Sequence, residues 1–498
     1  MESPVRSSAT AAAAGGGGGS SDWAELLEDI LLTVMEQLDV PDLVRSGAVC
    51  GWWRAASAAV RRARFPLPSS AKQLPCLFYA CEAYSPAAAA VHCPFTGESV
   101  RVPFPLAPVA GHHVVGAGHG WVVTADENSN LRLLNPITGA QASLPPITGI
   151  HHVETVPGGA LRYNVYLNGG PGLDRVPRLL TAGKAQKRMY HRVVLSRSPS
   201  SAGPGACVAL MAHMSYGELS FARLGDERWT WISPDEHPHL GPSACGFRDF
   251  FHDDDDGMFY ALRLDGSIYT LDLNGDSPVV KQITGGVPQQ WFPSTYILRA
   301  PWGDILQVRR WRRFFALMET ETPSSSQHTL NSLKVDDDDL ESVTGSDNDL
   351  ESVITGSDDD LESITGLDDD NDLESVMGLD DDDRVTSYLQ LRTTHIEVLK
   401  VDFDRRRLVK MGSLDDHALF LGANTTMCLS TKDYPMLKPN CAYIADNSSE
   451  YIGDHVKGLP EIGIWDMEAE SLQRFKCAED SPPWLNWPTP VWIKPSLL

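Results

Sequence analysis

The sequence predicts an α+β multidomain protein, in which a small all-α module at the amino end precedes an all-β propeller body. Three observations lead to this fold class. Residues 22–64 repeat apolar side chains at helical spacing, whereas the residues after 74 form short apolar runs separated by Gly, Pro, Asn and Asp. A motif in the body recurs, at Thr96 and Thr138, with a spacing typical of a propeller blade.

The composition divides the chain into segments. Residues 1–21 are rich in Ala, Gly and Ser and predict a disordered tail, because they bury too little to offset their ordering entropy. The helical module takes residues 22–64 and a Pro-containing linker takes residues 65–73. The body takes residues 74–498, interrupted at 320–384 by an acidic low-complexity insert.

The negative charge is concentrated in one segment. The formal net charge is −25, and residues 336–383 contain 21 Asp and Glu with no Lys or Arg. Because the rest of the chain is close to neutral and has no concentrated basic face, we expect no nucleic-acid partner.

The cysteines indicate a reducing compartment. The nine are scattered, and none has the C-x-x-C spacing of a metal site. No apolar run reaches membrane-spanning length, and the amino end lacks the apolar core of a signal peptide. We therefore expect a nuclear or cytoplasmic protein with no membrane partner, no cofactor and no metal.

The helical module carries more apolar surface than it can enclose. Its first helix is predicted from Leu26, Leu27, Ile30, Leu31, Val34 and Leu38, which recur at helical spacing. Pro41 suits the start of a second helix and not the interior of the first. Since about 40 residues cannot bury all of these side chains unaided, a partner or a following domain must cover some of them.

This segment resembles the F-box, the short helical module that docks on the Skp adaptor of SCF-type ubiquitin ligases. A leucine-rich helix, a Val-Pro turn, a Leu-x-Arg step and a Val-Cys-x-x-Trp-Arg ending follow one another from Leu26 to Arg54. One departure is Leu27, where many members have Pro. Periodicity alone also fits an ordinary helical hairpin. The resemblance implies an adaptor-binding set of Leu26, Leu27, Ile30, Leu31, Leu38, Val40, Pro41, Leu43, Val49, Cys50 and Trp53.

Short apolar runs bounded by turn residues predict the strands of the body. No stretch beyond residue 64 has sustained helical periodicity, so an all-β body is expected. The predicted strands are 76–80, 119–124, 131–134, 192–195, 207–211, 258–262, 267–272, 395–401, 418–421 and 441–444.

An internal repeat favours a propeller for this body. The segments 92–103 and 134–145 each leave a strand, turn at a Pro-x-Thr-Gly sequence and return through a short strand ending in Pro. The segment 271–280 is a looser copy. A β-sandwich pair is the alternative, but the length of the body and the spacing favour propeller blades.

The body is also similar to the C-terminal β-propeller of a large plant F-box family whose biochemical role is largely undefined. The similarity rests on Gly120-Trp121, Leu134–Gly139, Leu419–Asn424 and Pro439–Ile444, and it covers about 72–476 without the insert. It implies a fold and not a ligand. The Trp- and Pro-rich end, 481–498, either completes the propeller or forms a ligand site.

The acidic insert contains four imperfect copies of Asp-Leu-Glu-Ser at unequal spacing, which argues against a packed solenoid. We expect a disordered, solvated loop that engages a basic partner, if any. Weak calcium binding is an alternative, as is phosphorylation at Thr344, Ser346 or Ser357.

Several segments invite an enzymatic interpretation, and none has the spacing that catalysis requires. Adjacent histidines in a strand, His112-His113 and His151-His152, would point to opposite faces. The segments His252–Asp256 and Arg309–Arg313 are interpreted as a solvated turn and as a hairpin whose polar face carries arginines. Since no G-x-S-x-G or H-E-x-x-H sequence is present, we expect no catalytic residue.

Two functions follow. The resemblance implies a non-catalytic substrate receptor, which docks on the Skp adaptor, reaches the cullin scaffold through it and presents an unknown target protein bound to the propeller. The alternative is a binding or scaffold protein with a vestigial F-box, for which Leu27 is the sequence support. A propeller hydrolase is a third and weaker possibility.

Overall fold

The computed structural model divides the chain into two compact units, residues 1–69, which we call the helical unit, and residues 70–498, which we call the β-unit. The predicted tail, linker and insert lie outside the described residues. The described residues are 26–38, 40–64, 74–80, 88–104, 111–166, 176–200, 205–213, 217–240, 246–275, 277–286, 293–317, 388–446, 460–475 and 490–496.

In its described part, the helical unit consists of α1 (Glu28–Gln37), α2 (Val40–Ser46) and α3 (Gly51–Arg64). Its apolar core draws on all three helices. The carbonyl oxygen of Leu43 accepts hydrogen bonds from the hydroxyls of Ser46 (2.7 Å) and Ser57 (2.5 Å), so this buried acceptor is satisfied. The core residues are Leu31, Met35, Leu43, Ala56 and Val60.

The β-unit is mostly β-sheet. Its described residues contain one α-helix, α4 (Ala182–Arg188). The strands are β1 (Cys76–Ala80), β2 (Ala88–Cys93), β3 (Glu98–Pro103), β4 (His113–Gly118), β5 (Trp121–Ala125), β6 (Leu131–Leu134), β7 (Gln141–Ser143), β8 (Val153–Thr155), β9 (Arg162–Val165), β10 (Arg178–Thr181), β11 (Tyr190–Leu195), β12 (Val208–His213), β13 (Glu218–Arg223), β14 (Thr230–Trp231), β15 (Phe247–His252), β16 (Phe259–Arg263), β17 (Ile268–Asp272), β18 (Val279–Thr284), β19 (Ser294–Arg299), β20 (Ile305–Leu317), β21 (Tyr388–Asp402), β22 (Arg407–Lys410), β23 (His417–Leu421), β24 (Met427–Ser430), β25 (Cys441–Ala445), β26 (Ile462–Asp466), β27 (Ser471–Arg474) and β28 (Val491–Ile493).

These strands form seven sheets within the described residues. Four sheets are antiparallel meanders of consecutive strands, β4–β7, β11–β14, β15–β18 and β19–β22, and β8–β10 make a smaller one. A fifth large sheet has the order β24-β23-β25-β26-β27, in which β23 and β25 are parallel. The result is a propeller-like domain, as the strand runs and the repeat predicted.

The remaining sheet unites the two ends of the β-unit. Its order is β28-β1-β2-β3, so the last strand of the chain lies beside the first strand of the unit, with Trp492 opposite Leu77. Trp492 is fully buried. Of the two alternatives for the Trp- and Pro-rich end, its described part therefore completes a sheet.

The repeat occupies equivalent places in three sheets. Its copies are the hairpins β2–β3, β6–β7 and, for the looser copy, β17–β18, each the last two strands of its sheet. The turns of the first two need glycine, because Gly97 and Gly139 have φ of 77° and 71°. In the second copy, Oδ1 of Asn135 accepts the backbone N–H groups of Ile137 (2.9 Å) and Thr138 (3.1 Å), which stabilises the turn.

Two expectations are corrected. The β-unit is not free of helix, because Thr181 caps α4 by accepting the N–H of Lys184 at 3.3 Å, a signal too local to produce apolar periodicity. Arg309–Arg313 do not lie in a hairpin with a polar face, because they belong to the single strand β20 and Arg310 is completely buried. Its guanidinium donates to Glu461 (2.7 Å) and Asp446 (3.2 Å) of the neighbouring sheet, so carboxylates supply the solvation that water would give.

Candidate protein-interaction site

Helix α1 is apolar on two adjacent faces, of which the helical unit covers one. Leu31 and Met35, one turn apart, are fully buried in the core. Leu27, which precedes the helix, and Ile30 and Val34 follow the neighbouring stripe and are 72%, 51% and 39% exposed. An apolar arc of this width is typical of a helix that is packed on two sides.

The start of α3 repeats this division. Trp53 is partly buried against the core, one and two turns ahead of Ala56 and Val60. Val49 and Trp52, three residues apart, are 59% and 44% exposed. We call Leu27, Ile30, Val34, Val49 and Trp52 the exposed apolar set.

The residues predicted to bind an adaptor thus fall into four groups. Leu27, Ile30 and Val49 are exposed, whereas Leu31 and Leu43 are core residues of the helical unit itself. Val40 and Pro41 begin α2, but their side chains lie outside the described residues. The partly buried members are Leu26, Leu38, Cys50 and Trp53.

Two exposed members are absent from the predicted set. Val34 lies one turn after Ile30 on α1, so helical spacing from Ile30 contains the signal that would have found it. Trp52 lies in the first turn of α3, whereas Val49 lies in the bend before this helix, so helical spacing from Val49 does not indicate Trp52.

On α1, the charged residues near the exposed apolar set are acidic. Glu28 and Asp29 lie in its first turn and are exposed. Arg45 pairs with Asp42 at 2.6 Å on the surface of α2, a contact worth little energy. The chemistry available here is burial of apolar surface, at about 1.5–3 kcal/mol for each large side chain that a partner covers fully.

In the β-unit, His151 and His152 lie in a turn before β8 and not in a strand. Their rings therefore do not point to opposite faces: the centroids are 5.1 Å apart, edge to face. Nε2 of His152 lies 3.4 Å from Oε2 of Glu218. Burial lowers the pKa of His152 to about 4 and raises the pKa of Glu218 to about 7. Between these pH values both side chains are uncharged.

In the other histidine pair, both His112 and His113 are buried. Nδ1 of His112 lies 3.0 Å from the hydroxyl of Thr124, and burial lowers the pKa of His113 to about 4. Within the described stretches, no group of three or more His, Cys, Asp or Glu side chains is placed to hold a metal ion. The same part of the chain contains no helix long and apolar enough to cross a membrane.

Comparison with known proteins identifies the β-unit. The model of the KIB1-4 β-propeller family matches residues 92–466. A β-propeller of this kind supports a role in protein interaction. No protein with curated function matches the chain.

Three solved structures illustrate the remote likenesses. Hsv2 of Kluyveromyces lactis is 11% identical, with 46% of this chain and 74% of that chain covered and a TM-score of 0.24. TolB from Acinetobacter baumannii is 12% identical, with 52% and 66% covered and a TM-score of 0.20. A putative 6-phosphogluconolactonase from Bacteroides uniformis is 14% identical, with 68% and 96% covered and a TM-score of 0.24.

Proposed function

The chain belongs to the KIB1-4 β-propeller family, and from this premise we propose that it is the substrate-recognition subunit of an SCF-type ubiquitin ligase. The helical unit docks as an F-box on the Skp adaptor, which connects it to the cullin scaffold. The propeller binds the target protein. The chain performs no chemistry itself and acts in the nucleus or the cytoplasm.

One observation carries the proposal: the exposed apolar set on α1 and at the start of α3. Large apolar side chains that stay exposed on a small helical unit mark a protein-binding surface. The F-box-like order of residues from Leu26 to Arg54 supports the identity of the partner. The family membership of the β-unit supports the second half of the proposal, because propellers commonly present loops to other proteins.

The mechanism requires only proximity. Holding the target beside a conjugating enzyme that carries ubiquitin raises the effective concentration of target lysines at the reactive thioester. The helical unit therefore needs an apolar docking surface, and the β-unit needs a separate binding surface.

The alternative of a vestigial F-box rested on Leu27 in place of Pro. Leu27 is the N-cap residue of α1 and is 72% exposed, so it is available to a partner and does not obstruct the helix start. This observation favours the receptor over the scaffold.

The experiment is co-purification of the full chain with the Skp adaptor and the cullin, followed by a binding measurement. Ile30→Asp places a charge in the exposed apolar set, near the start of α1, where an acidic residue favours the helix. The matched control is Val279→Asp, an exposed apolar residue of the β-unit (62% exposed, against 51% for Ile30).

We expect near one-to-one assembly for the wild type and for Val279→Asp, and at least a tenfold loss of adaptor affinity for Ile30→Asp. Circular dichroism should show that both variants are folded. Absence of adaptor binding by the wild type, or full binding by a folded Ile30→Asp protein, would contradict the proposal. Proximity labelling with and without Ile30→Asp would then identify the target.

A further inference from the structure

Cys76 and Cys93 are placed opposite each other on neighbouring strands. Cys76 begins β1 and Cys93 ends β2. The antiparallel register pairs Leu77 with His92, and continuing it by one residue pairs Cys76 with Cys93. Directly opposed residues have Cα atoms about 4.5–5.5 Å apart. A disulfide spans Cα separations of about 4.4–6.8 Å, so a bond can form here without strand movement.

Both thiols are free and they differ in exposure; the Cys76 thiol contacts the carbonyl oxygen of Leu74 at 3.6 Å as well as the Cys93 thiol. Cys76 is buried, whereas Cys93 is half-buried beside the turn that leads to β3. The hydrogen bond from Cys76 lowers the pKa of the Cys93 thiol to about 6, against the opposing effect of burial, and hydrogen bonds from Thr96 and the Phe95 backbone lower it further. The same hydrogen bond and burial raise the pKa of Cys76.

This environment sets Cys93 apart from other cysteines in the described part of the chain. Burial raises the pKa of Cys428 to about 12 and of Cys441 to about 11, as expected for inert core thiols. Cys93 combines partial exposure, thiolate character at neutral pH and a neighbouring neutral thiol. These are the features of a peroxide-sensitive cysteine with its resolving partner.

We propose that Cys93 and Cys76 form a site of reversible oxidation, at which a hydroperoxide converts the two thiols into a disulfide. The Cys93 thiolate attacks a peroxide oxygen, the O–O bond breaks, and hydroxide or alkoxide leaves, so Cys93 becomes a sulfenic acid. The Cys76 thiol then attacks the sulfenic sulfur. The S–S bond forms, and the hydroxyl group leaves with the Cys76 proton as water. The two thiols supply the two electrons that reduce the peroxide, and a small thiol reverses the bond by exchange.

A disulfide between Cys76 and Cys93 would cross-link the sheet β28-β1-β2-β3, which joins the two ends of the β-unit. Cys76 also lies opposite Ile493 of β28. The disulfide would link β2 covalently to β1, which also pairs with β28. Oxidation therefore adds a covalent cross-link within this sheet.

The test treats the full chain with hydrogen peroxide at pH 7, blocks the remaining thiols with N-ethylmaleimide and examines its peptides by mass spectrometry. We expect a Cys76–Cys93 disulfide in the wild type and in the control Cys428→Ser, and its loss on treatment with dithiothreitol. In Cys76→Ser, dimedone should trap the Cys93 sulfenic acid, and in Cys93→Ser neither product should form.

A second measurement follows the rate of Cys93 alkylation by iodoacetamide against pH. The midpoint should lie near pH 6 in the wild type and should rise in Cys76→Ser, which removes the thiol donor. A midpoint near the ordinary value of 9.0 would overturn the proposal. So would a Cys93 thiol that survives peroxide unchanged, or a disulfide between Cys93 and Cys81.

Discussion

Arg192 of β11 and Asp249 of β15 form a completely buried ion pair, with Nη2 of the arginine 2.6 Å from Oδ1 of the aspartate. Each partner reaches a further sheet. Arg192 donates to the carbonyl oxygen of Gly422 at 2.8 Å, and Oδ2 of Asp249 accepts the N–H of Ile297 at 2.9 Å and the hydroxyl of Thr426 at 3.3 Å. The pair therefore connects four sheets of the propeller, and its hydrogen bonds replace the solvation that both charges lose.

Replacing Arg192 by Met should destabilise the β-unit by about 3–5 kcal/mol, because Asp249 would remain buried without its counter-charge. Thermal unfolding measures the effect. The double variant Arg192→Met/Asp249→Leu should recover part of the loss, since it removes both charges. If the single variant unfolds at the wild-type temperature, the pair does not hold the sheets together.

Leu31 should contribute to the stability of the helical unit and Ile30 should not, although the two residues are neighbours in the chain. Leu31→Ala should cost the helical unit about 2–5 kcal/mol, because Leu31 is fully buried, whereas Ile30→Ala should change its stability by less than about 0.5 kcal/mol. Hydrogen exchange of peptides from residues 28–64 measures local stability. Equal exchange rates in the two variants would refute this division between core and surface.

Glu218 should make the stability of the β-unit depend on pH. Its pKa is about 7 in the folded protein, above its ordinary value of 4.5. The folded state thus holds the proton more tightly, so this contribution is complete below pH 4.5 and is lost as the pH rises through 7.

Glu218→Gln should remove this loss. The free energy of unfolding of Glu218→Gln minus that of the wild type should increase by up to ~3 kcal/mol between pH 4.5 and pH 8. Titration of His152 changes the stability in the opposite direction, and most of this change cancels in the difference because both proteins contain His152. Glu98→Gln, at an exposed position of β3, is the control. A difference that does not vary with pH would show that Glu218 titrates normally.

Gly116 should not tolerate a side chain. A Cβ atom at this position would lie 2.1 Å from the carbonyl oxygen of Val193, where β4 and β11 approach each other. Gly116→Ala should therefore destabilise the β-unit by about 1–3 kcal/mol or more, because backbone must move. Gly111→Ala, with no atom within 4 Å of the added Cβ, is the matched control, and calorimetry compares the two. Similar melting temperatures would contradict the close approach.

Local signals account for the elements that were predicted correctly. The run at 131–134 is β6 with the same bounds, and Gly139 takes the positive φ that its turn requires. Strand formation depends on alternating or continuous apolar side chains within a few residues, and turns depend on single residues. The helix α4 was missed because a capping Thr and two turns produce no apolar periodicity.

The candidate site was predictable in part for the same reason. Apolar spacing on α1 and the F-box-like order marked Leu27, Ile30 and Val49. It did not separate them from Leu31 and Leu43, which the helical unit uses for its own core. Periodicity shows which residues of a helix are apolar, but it does not show which of them face the unit's own core and which remain exposed for a partner.

Local side-chain patterns predict most of the helices, strands and turns, though not α4, because these elements depend on side chains within one turn of helix or one short strand. Three outcomes depend on tertiary contacts: which apolar side chains of α1 remain exposed, the pairing of the strand at Val491 with that of Cys76, and the burial of Arg310 against Glu461. Each of these outcomes depends on contacts between segments far apart in the chain, and such contacts leave no pattern in the local sequence.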